Sequence, residues 1–185
     1  MITGDFLINW VVDEMSMPGL SKIAKMKMLG LSSNIDNDNV PQGKKLWENQ
    51  LIGYMGQMKV IEHLTGTNLL FYQDVEELGS KPVGDGGSDI PGGRLDVKTT
   101  LMRYGPNWNT YHLLVRPREF HEDTVYVQCL VSSYSDKGAK GMIVGWLYSW
   151  QVEEMNTPNP GKFGDAYCVN VKHLNPFMDC RWERQ

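Results

Sequence analysis

The feature that most limits how this chain can fold is a change of hydrophobic period at Gly66. Before it, from Lys44 to Thr65, Trp47, Leu51, Tyr54, Met55, Met58, Ile61 and Glu62 fall along one stripe of a 3.6-residue period, which predicts a long helix ended by Gly66. After it, seven segments are rich in Val, Leu, Tyr and Trp and punctuated by Gly, Pro, Asn and Asp: Leu69 to Val75, Gly87 to Ile90, Arg94 to Thr99, Tyr111 to Val115, Thr124 to Ser132, Met142 to Trp150 and Ala166 to Val171. These predict strands, with loops at Ser135 to Gly141 and Thr157 to Asp165. Upstream, Phe6, Leu7, Trp10, Val11, Glu14 and Met15 have helical spacing up to a break at Pro18-Gly19, and a second short helix, Leu20 to Leu29, is closed by Gly30. The stretch Ser32 to Gly43 is polar and without period, a loop by composition. Helices followed by a run of strands predict an α+β (mixed α/β) fold: a central mixed β-sheet flanked by helices. Residues 1–43 read as an N-terminal helical segment with a polar loop, and residues 44–185 as the main domain of one compact unit.

Composition narrows the function classes. A chain of 185 residues has one domain's length, and its 41% apolar and 22% charged residues are those of an ordinary globular protein. No apolar run approaches the roughly 20 residues of a membrane span, and the start, with Asp5, Asp13 and Glu14, lacks the basic opening of a secretory signal. The three cysteines, Cys129, Cys168 and Cys180, are odd in number and widely spaced, as for reduced thiols in a cytoplasmic protein, or in the host cytoplasm if the chain is viral. A net charge of −4 argues against a protein that coats nucleic acid through a basic surface. Positive charge is local: Lys22, Lys25 and Lys27; Lys44 and Lys45; Arg94, Lys98 and Arg103; Arg116 and Arg118. Bound divalent cations would reverse the sign of a carboxylate site, so cutting a polyanion stays compatible with an acidic chain.

The stretch that carries chemistry is Gly84 to Thr100, GDGGSDIPGGRLDVKTT. Pro91-Gly92-Gly93 is a turn signal. If the loop is Pro91 to Arg94, Asp89 faces Asp96 across a hairpin, and Lys98, two residues on, shares the face of Asp96 while Leu95 and Val97 point into a core. Carboxylates opposite one another repel. A divalent cation between them removes that cost, and magnesium is typically held by one or two carboxylates with water and substrate phosphate completing its shell. Without metal, the pair should leave the protein less stable than its packing allows. Lys98 beside the same spot suits steadying an attacking water or a phosphate oxygen. The plain alternative is a half-exposed strand whose charges are incidental. The glycine-rich flank, which lets a ligand approach the backbone, favours a site.

Asp89, a short turn, then Asp96-Val97-Lys98 resembles the PD-(D/E)xK signature of the restriction-endonuclease-like nuclease superfamily, over roughly Lys44 to Trp150. The resemblance implies a magnesium- or manganese-dependent DNA nuclease, endonuclease or exonuclease, of the kinds used in restriction, recombination, repair and resolution of branched DNA. It implies that Asp89 and Asp96 ligate the metal, with the Val97 carbonyl as a further ligand, and that Lys98 assists the nucleophilic water. Arg94, Arg103 and Thr99 would contact DNA, and a homodimer would let both strands be cut. In many members a helix contributes a Glu within G-x-x-G-E. The corresponding stretch here is Gly53-Tyr54-Met55-Gly56-Gln57, with Gln57 in that place and Glu48 and Glu62 as substitutes on the same helix. The reading from another class is a non-catalytic nuclease-fold module that binds DNA or a protein.

Other constellations are weaker. Asp85 to Asp96 has the length of a calcium loop, but Ile90 stands where that loop needs Gly. No GxxxxGK[ST] is present. Cys168, His173 and Cys180 lack the usual zinc spacing, and His121-Glu122-Asp123 reads as the approach to a strand.

Overall fold

The computed structural model describes residues 6–32, 44–69, 71–72, 89, 94–157 and 165–180. The polar loop 33–43, the glycine-rich flank 84–88 and 90–93, the end of the segment expected as a strand to Val75, and most of the loop 158–164 lie outside these residues.

A four-stranded mixed sheet organises the chain. It contains β1 (Ile8–Val12), β2 (Leu95–Leu101), β4 (Val125–Ser135) and β5 (Gly138–Tyr148), in the order β1-β5-β4-β2. β2 runs parallel to β4, while β4–β5 and β5–β1 are antiparallel. The central strand β4 is buried at every residue from Val125 to Val131, so it reads as a continuous apolar run and not as an alternation. A second, two-stranded sheet pairs β3 (His112–Val115) antiparallel with β6 (Tyr167–Asn170).

Two cores form on the two faces of the main sheet. Helices α1 (Met17–Ser32) and α2 (Lys44–Thr65) bury Leu20, Ala24, Leu51, Met55, Met58 and Ile61 against Leu95, Val97, Val127 and Cys129. The opposite face, with Tyr126, Leu130, Val144 and Leu147, is covered by β3, β6 and the short helix α3 (Ser149–Glu154) through Leu113, Val115, Val152 and Val169. The α+β class with a central mixed sheet is thus observed. The long helices, however, pack on one face only.

Several local expectations are corrected. Phe6 to Met15 is not a helix: Trp10 and Val12 are buried and Asn9 and Val11 exposed, a period of two that suits an edge strand on β5. Residues 8–12 therefore add a strand to the same sheet that β2, β4 and β5 build, and the helical expectation upstream of residue 43 holds for α1. Pro18-Gly19 does not break a helix but sits inside the first turn of α1, where a missing N–H costs nothing because those groups have no intrahelical acceptor. Asp13 closes the turn that leads into α1, its Oδ1 accepting from Ser16 N at 2.8 Å, and Ser16 O accepts the first helical bond from Leu20 N. Gly30 lies within α1, which continues to Ser32. Leu69, Phe71 and Tyr72 are helical, with Tyr72 N donating to Asn68 O, so this segment does not begin as a strand. The loop expected over Ser135 to Gly141 shrinks to Asp136-Lys137, because β5 already begins at Gly138. Trp150, expected at a strand end, lies in α3.

The α2 boundary is as the period indicates. Gly66 has φ +73° and its N–H closes the helix on Glu62 O at 2.8 Å, a left-handed position open to glycine at no steric cost. A second glycine brings α2 close to β2: a Cβ on Gly56 would overlap Thr99 Oγ1 and crowd its Cγ2. Both branches of Thr99 are involved, so rotating that side chain does not clear the overlap. Gly56→Ala is expected to destabilise the fold, since overpacking costs about 1–3 kcal/mol against the roughly 1 kcal/mol of helix propensity that alanine gains. Urea unfolding of Gly56→Ala, and of Gly56→Ala with Thr99→Ala, tests this. The single variant should have the lower midpoint and the double variant should recover part of it; a single variant as stable as wild type would refute the close approach.

Candidate functional site

The parallel pairing of β2 and β4 decides where the site forms. Leu95 is opposite Val125 and Lys98 opposite Gln128, so the strands start side by side. The chain leaving β2 at Leu101 must cross back over the sheet to begin β4. A late turn of that crossover, the 3-10 turn Pro117–Glu119, arrives beside β2, where Glu119 meets Lys98.

On β2, Leu95 and Val97 enter the helix-side core, which turns Asp96 and Lys98 to the other face. Asp96 is buried, 8% exposed. Lys98 Nζ lies 2.8 Å from Asp96 Oδ2 and 3.1 Å from Glu119 Oε2. Glu119 in turn receives Arg116 Nη1 on Oε1 at 3.2 Å, with Arg118 Nε at 3.9 Å. Three cations and two acids thus form one contiguous cluster.

Asp89 stands on the outer edge of β2. Its N–H donates to Leu95 O at 2.6 Å, and its Oδ2 accepts the Val97 N–H at 2.5 Å. Leu95 and Val97 direct their backbone groups to this edge because those of Asp96 and Lys98 serve β4, so the Val97 carbonyl shares the edge with Asp89. From the helix above, Gln57 Nε2 donates to Asp89 O at 2.9 Å. Gln57, 5% exposed, therefore acts as a brace on the Asp89 backbone through its amide N–H. The expected repulsion between Asp89 and Asp96 is met internally: a backbone N–H serves one carboxylate and Lys98 the other. The apo fold does not carry the full cost of two opposed charges.

The other expected residues sit elsewhere. Glu48 binds Arg103 at 3.0 Å and accepts from the Tyr134 hydroxyl, just beyond the end of β2 and near the end of β4. Glu62 pairs with Lys59 at 2.7 Å and lines a cleft with Ile8, Trp10 and Val11 of β1, at the opposite edge of the sheet from β2. Neither helix acid joins Asp96. Arg94 bridges to Asp123 at 2.6 Å on the surface. Thr99 turns its Oγ1 to the helix side, buried and without a hydrogen-bond partner among the described residues. Glu119 is the member that sequence reasoning missed, together with Tyr126, the strand partner of Asp96. The Tyr126 hydroxyl donates to Glu119 O at 3.0 Å and accepts His121 N–H at 2.8 Å, which fixes the turn to the sheet.

The electrostatics follow from these contacts. Burial works against a charge on Lys98 and is the largest single effect. The Asp96 and Glu119 carboxylates together outweigh it and raise the ammonium above its ordinary value, so Lys98 is a cation and a donor at neutral pH. Glu119 is likewise opposed by burial, yet Lys98, Arg116 and Arg118 hold its carboxyl below the usual glutamate range. The Cys129 thiol, buried in the helix-side core, is pushed far up by burial and by the Asp89 charge, so it is inert.

Asp89 and Asp96 offer hard oxygen donors, the chemistry that magnesium or manganese takes. Each carboxylate has about four lone-pair positions and already serves a partner here, the Val97 N–H on Asp89 and the Lys98 ammonium on Asp96. Among the described residues no group of three or more His, Cys, Asp or Glu side chains converges on one point, Cys168, His173 and Cys180 included. The described residues thus show Asp89 at the edge of β2 and Asp96 on its face, and no third such side chain joins them in a common cluster.

Two outcomes check this geometry. A carboxylate with a lowered folded-state pKa stabilises the fold above its unfolded value and loses that contribution as pH falls through the folded value. The stability difference between wild type and Glu119→Gln should thus favour wild type at neutral pH and shrink below the ordinary glutamate value of 4.5; a pH-independent difference in urea melts would contradict the ion cluster. Gln57→Glu should lose the bond to Asp89 O and set a carboxylate against that carbonyl, destabilising by about 1–3 kcal/mol. Unchanged stability would show that Gln57 is no brace.

Family models, curated proteins and solved structures offer no match to this chain, so the functional reading rests on these side chains.

Proposed function

We propose that this protein is a metal-dependent DNA nuclease that hydrolyses phosphodiester bonds, of restriction-endonuclease-like type. The observation that carries the reading is the pair Asp96 and Lys98 at 2.8 Å on one face of β2, with Asp89 clamped to the neighbouring edge by Val97 N and Gln57. Asp89 and Asp96 would hold a magnesium or manganese ion, which supplies Lewis acidity and lowers the pKa of a bound water. The chain's own contribution is positional. Lys98, fixed as a cation between two carboxylates, presents its ammonium to a phosphate oxygen or to the attacking water, where a donor set in advance costs no reorganisation. Gln57 and the β2 backbone keep Asp89 from drifting when charge at the site changes.

A second reading, a DNA- or protein-binding module that does not cut, draws on one observation: Lys98 is already shared between Asp96 and Glu119. One experiment separates the two. Supercoiled plasmid incubated with purified protein should be nicked or degraded in magnesium or manganese and left intact in EDTA. Asp96→Asn, which keeps the side-chain shape, and Lys98→Arg, which keeps the charge, should each lower the rate by about 10²-fold or more with the fold retained by circular dichroism. Wild-type cleavage by either variant would remove these residues from the chemistry, and no cleavage by wild type in either metal would leave the binding module.

A further inference from the structure

The turn that delivers Glu119 also carries two arginines that the active-site reading does not use. Arg116 and Arg118 flank Pro117, whose ring fixes one backbone angle of the turn. Their side chains are 59% and 68% exposed, yet both approach Glu119 Oε1, while Oε2 of the same carboxylate holds Lys98. The turn is anchored from inside the sheet by the Tyr126 hydroxyl, and Phe120 packs on Tyr167 with ring centres 4.7 Å apart and on Tyr126 at 6.1 Å. An exposed arginine pair alone is usually a solvated face, and its ion pairs contribute little. Here the pair is continuous with the half-buried Lys98 through one shared carboxylate and is held on a rigid support. The cluster has one more cation than acids, in a chain whose net charge is −4.

We propose that Arg116 and Arg118 are the phosphate-binding clamp of this site, gripping the sugar–phosphate backbone of a DNA strand and aligning it on Lys98 through Glu119. Guanidinium groups suit this because their planar fork matches phosphate oxygens in pairs. Contacts of this kind set register on the strand without reading sequence, so the clamp selects a polyanionic backbone and no particular base order. The proposal rests on the nuclease reading for the identity of the strand, and its test is independent of cleavage.

Binding of a short fluorescein-labelled duplex is followed by anisotropy in magnesium across a salt series. Every protein carries Lys98→Arg, which keeps the charge of the cluster, so that substrate is not consumed. Each phosphate contact contributes close to one unit to the slope of log affinity against log salt. Arg116→Ala with Arg118→Ala should make the slope shallower by about two and weaken binding at low salt about tenfold or more. Lys137→Ala with Lys140→Ala removes the same charge from the exposed β4–β5 hairpin and should change neither quantity. Equal losses in the two double variants, no loss in the arginine variant, or no duplex binding at all would overturn the clamp. Arginine-dependent binding together with an uncut plasmid would keep the clamp and reject the nuclease. A cut plasmid with an unchanged slope would do the reverse.

Discussion

The parallel pairing of β2 with β4 is the constraint on which the rest of the molecule depends. Parallel neighbours cannot be joined by a tight hairpin, so the chain between Leu101 and Val125 has to cross the sheet. That crossover contributes β3, and β3 with β6 supplies the cover for the second face of the sheet. The return leg ends at the same edge where β2 begins, and it is there that Glu119 meets Lys98. One topological choice thereby produces the second core and the turn Pro117–Glu119 that borders the candidate site.

A half-buried ammonium is stable only where its partial desolvation is repaid. Lys98 has two carboxylates within 3.1 Å, and these outweigh burial. Removing one partner from such an arrangement leaves an uncompensated charge, which is far costlier than the net value of the intact group. The same balance makes the cluster responsive. A polyanion or a cation arriving at its rim changes the field on every member, because Glu119 is shared and Asp96 lies at its inner end. The Tyr126 hydroxyl and the Gln57 amide hold backbone positions against that change.

Legibility in the sequence followed the range of the interactions. α2 was legible because twenty-two residues repeat one period and Gly66 supplies the left-handed stop. β2, β4 and β6 were legible from their branched and aromatic runs. β1 was misread because residues 6 to 15 satisfy a spacing of three to four and a spacing of two at once. Pairing with β5, at the other end of the chain, settles the choice in favour of the strand. Asp96 and Lys98 on one face follow from strand alternation alone and needed no tertiary information. Gln57 was visible as a change from acid to amide, but its role as a donor to Asp89 O depends on how closely α2 approaches β2 at Gly56. Glu119 had no local signature: an acid after two arginines looks like any solvated turn, and only the crossover brings it to Lys98.

β1 has a consequence for how the molecule assembles. Its partners Ile143 to Ala139 are separated from it by most of the chain, whereas β4 and β5 are joined by a two-residue turn. Closing a long loop costs entropy before any contact offsets it, so the local hairpin can form early and offer the edge that the N-terminal strand later occupies. Gly138 and Gly141 leave room for that arrival: a Cβ on Gly138 would meet Val12 O, and one on Gly141 would meet the Trp10 ring. The strand thus acts as a clasp, holding residues near the start of the sequence against the β4–β5 hairpin.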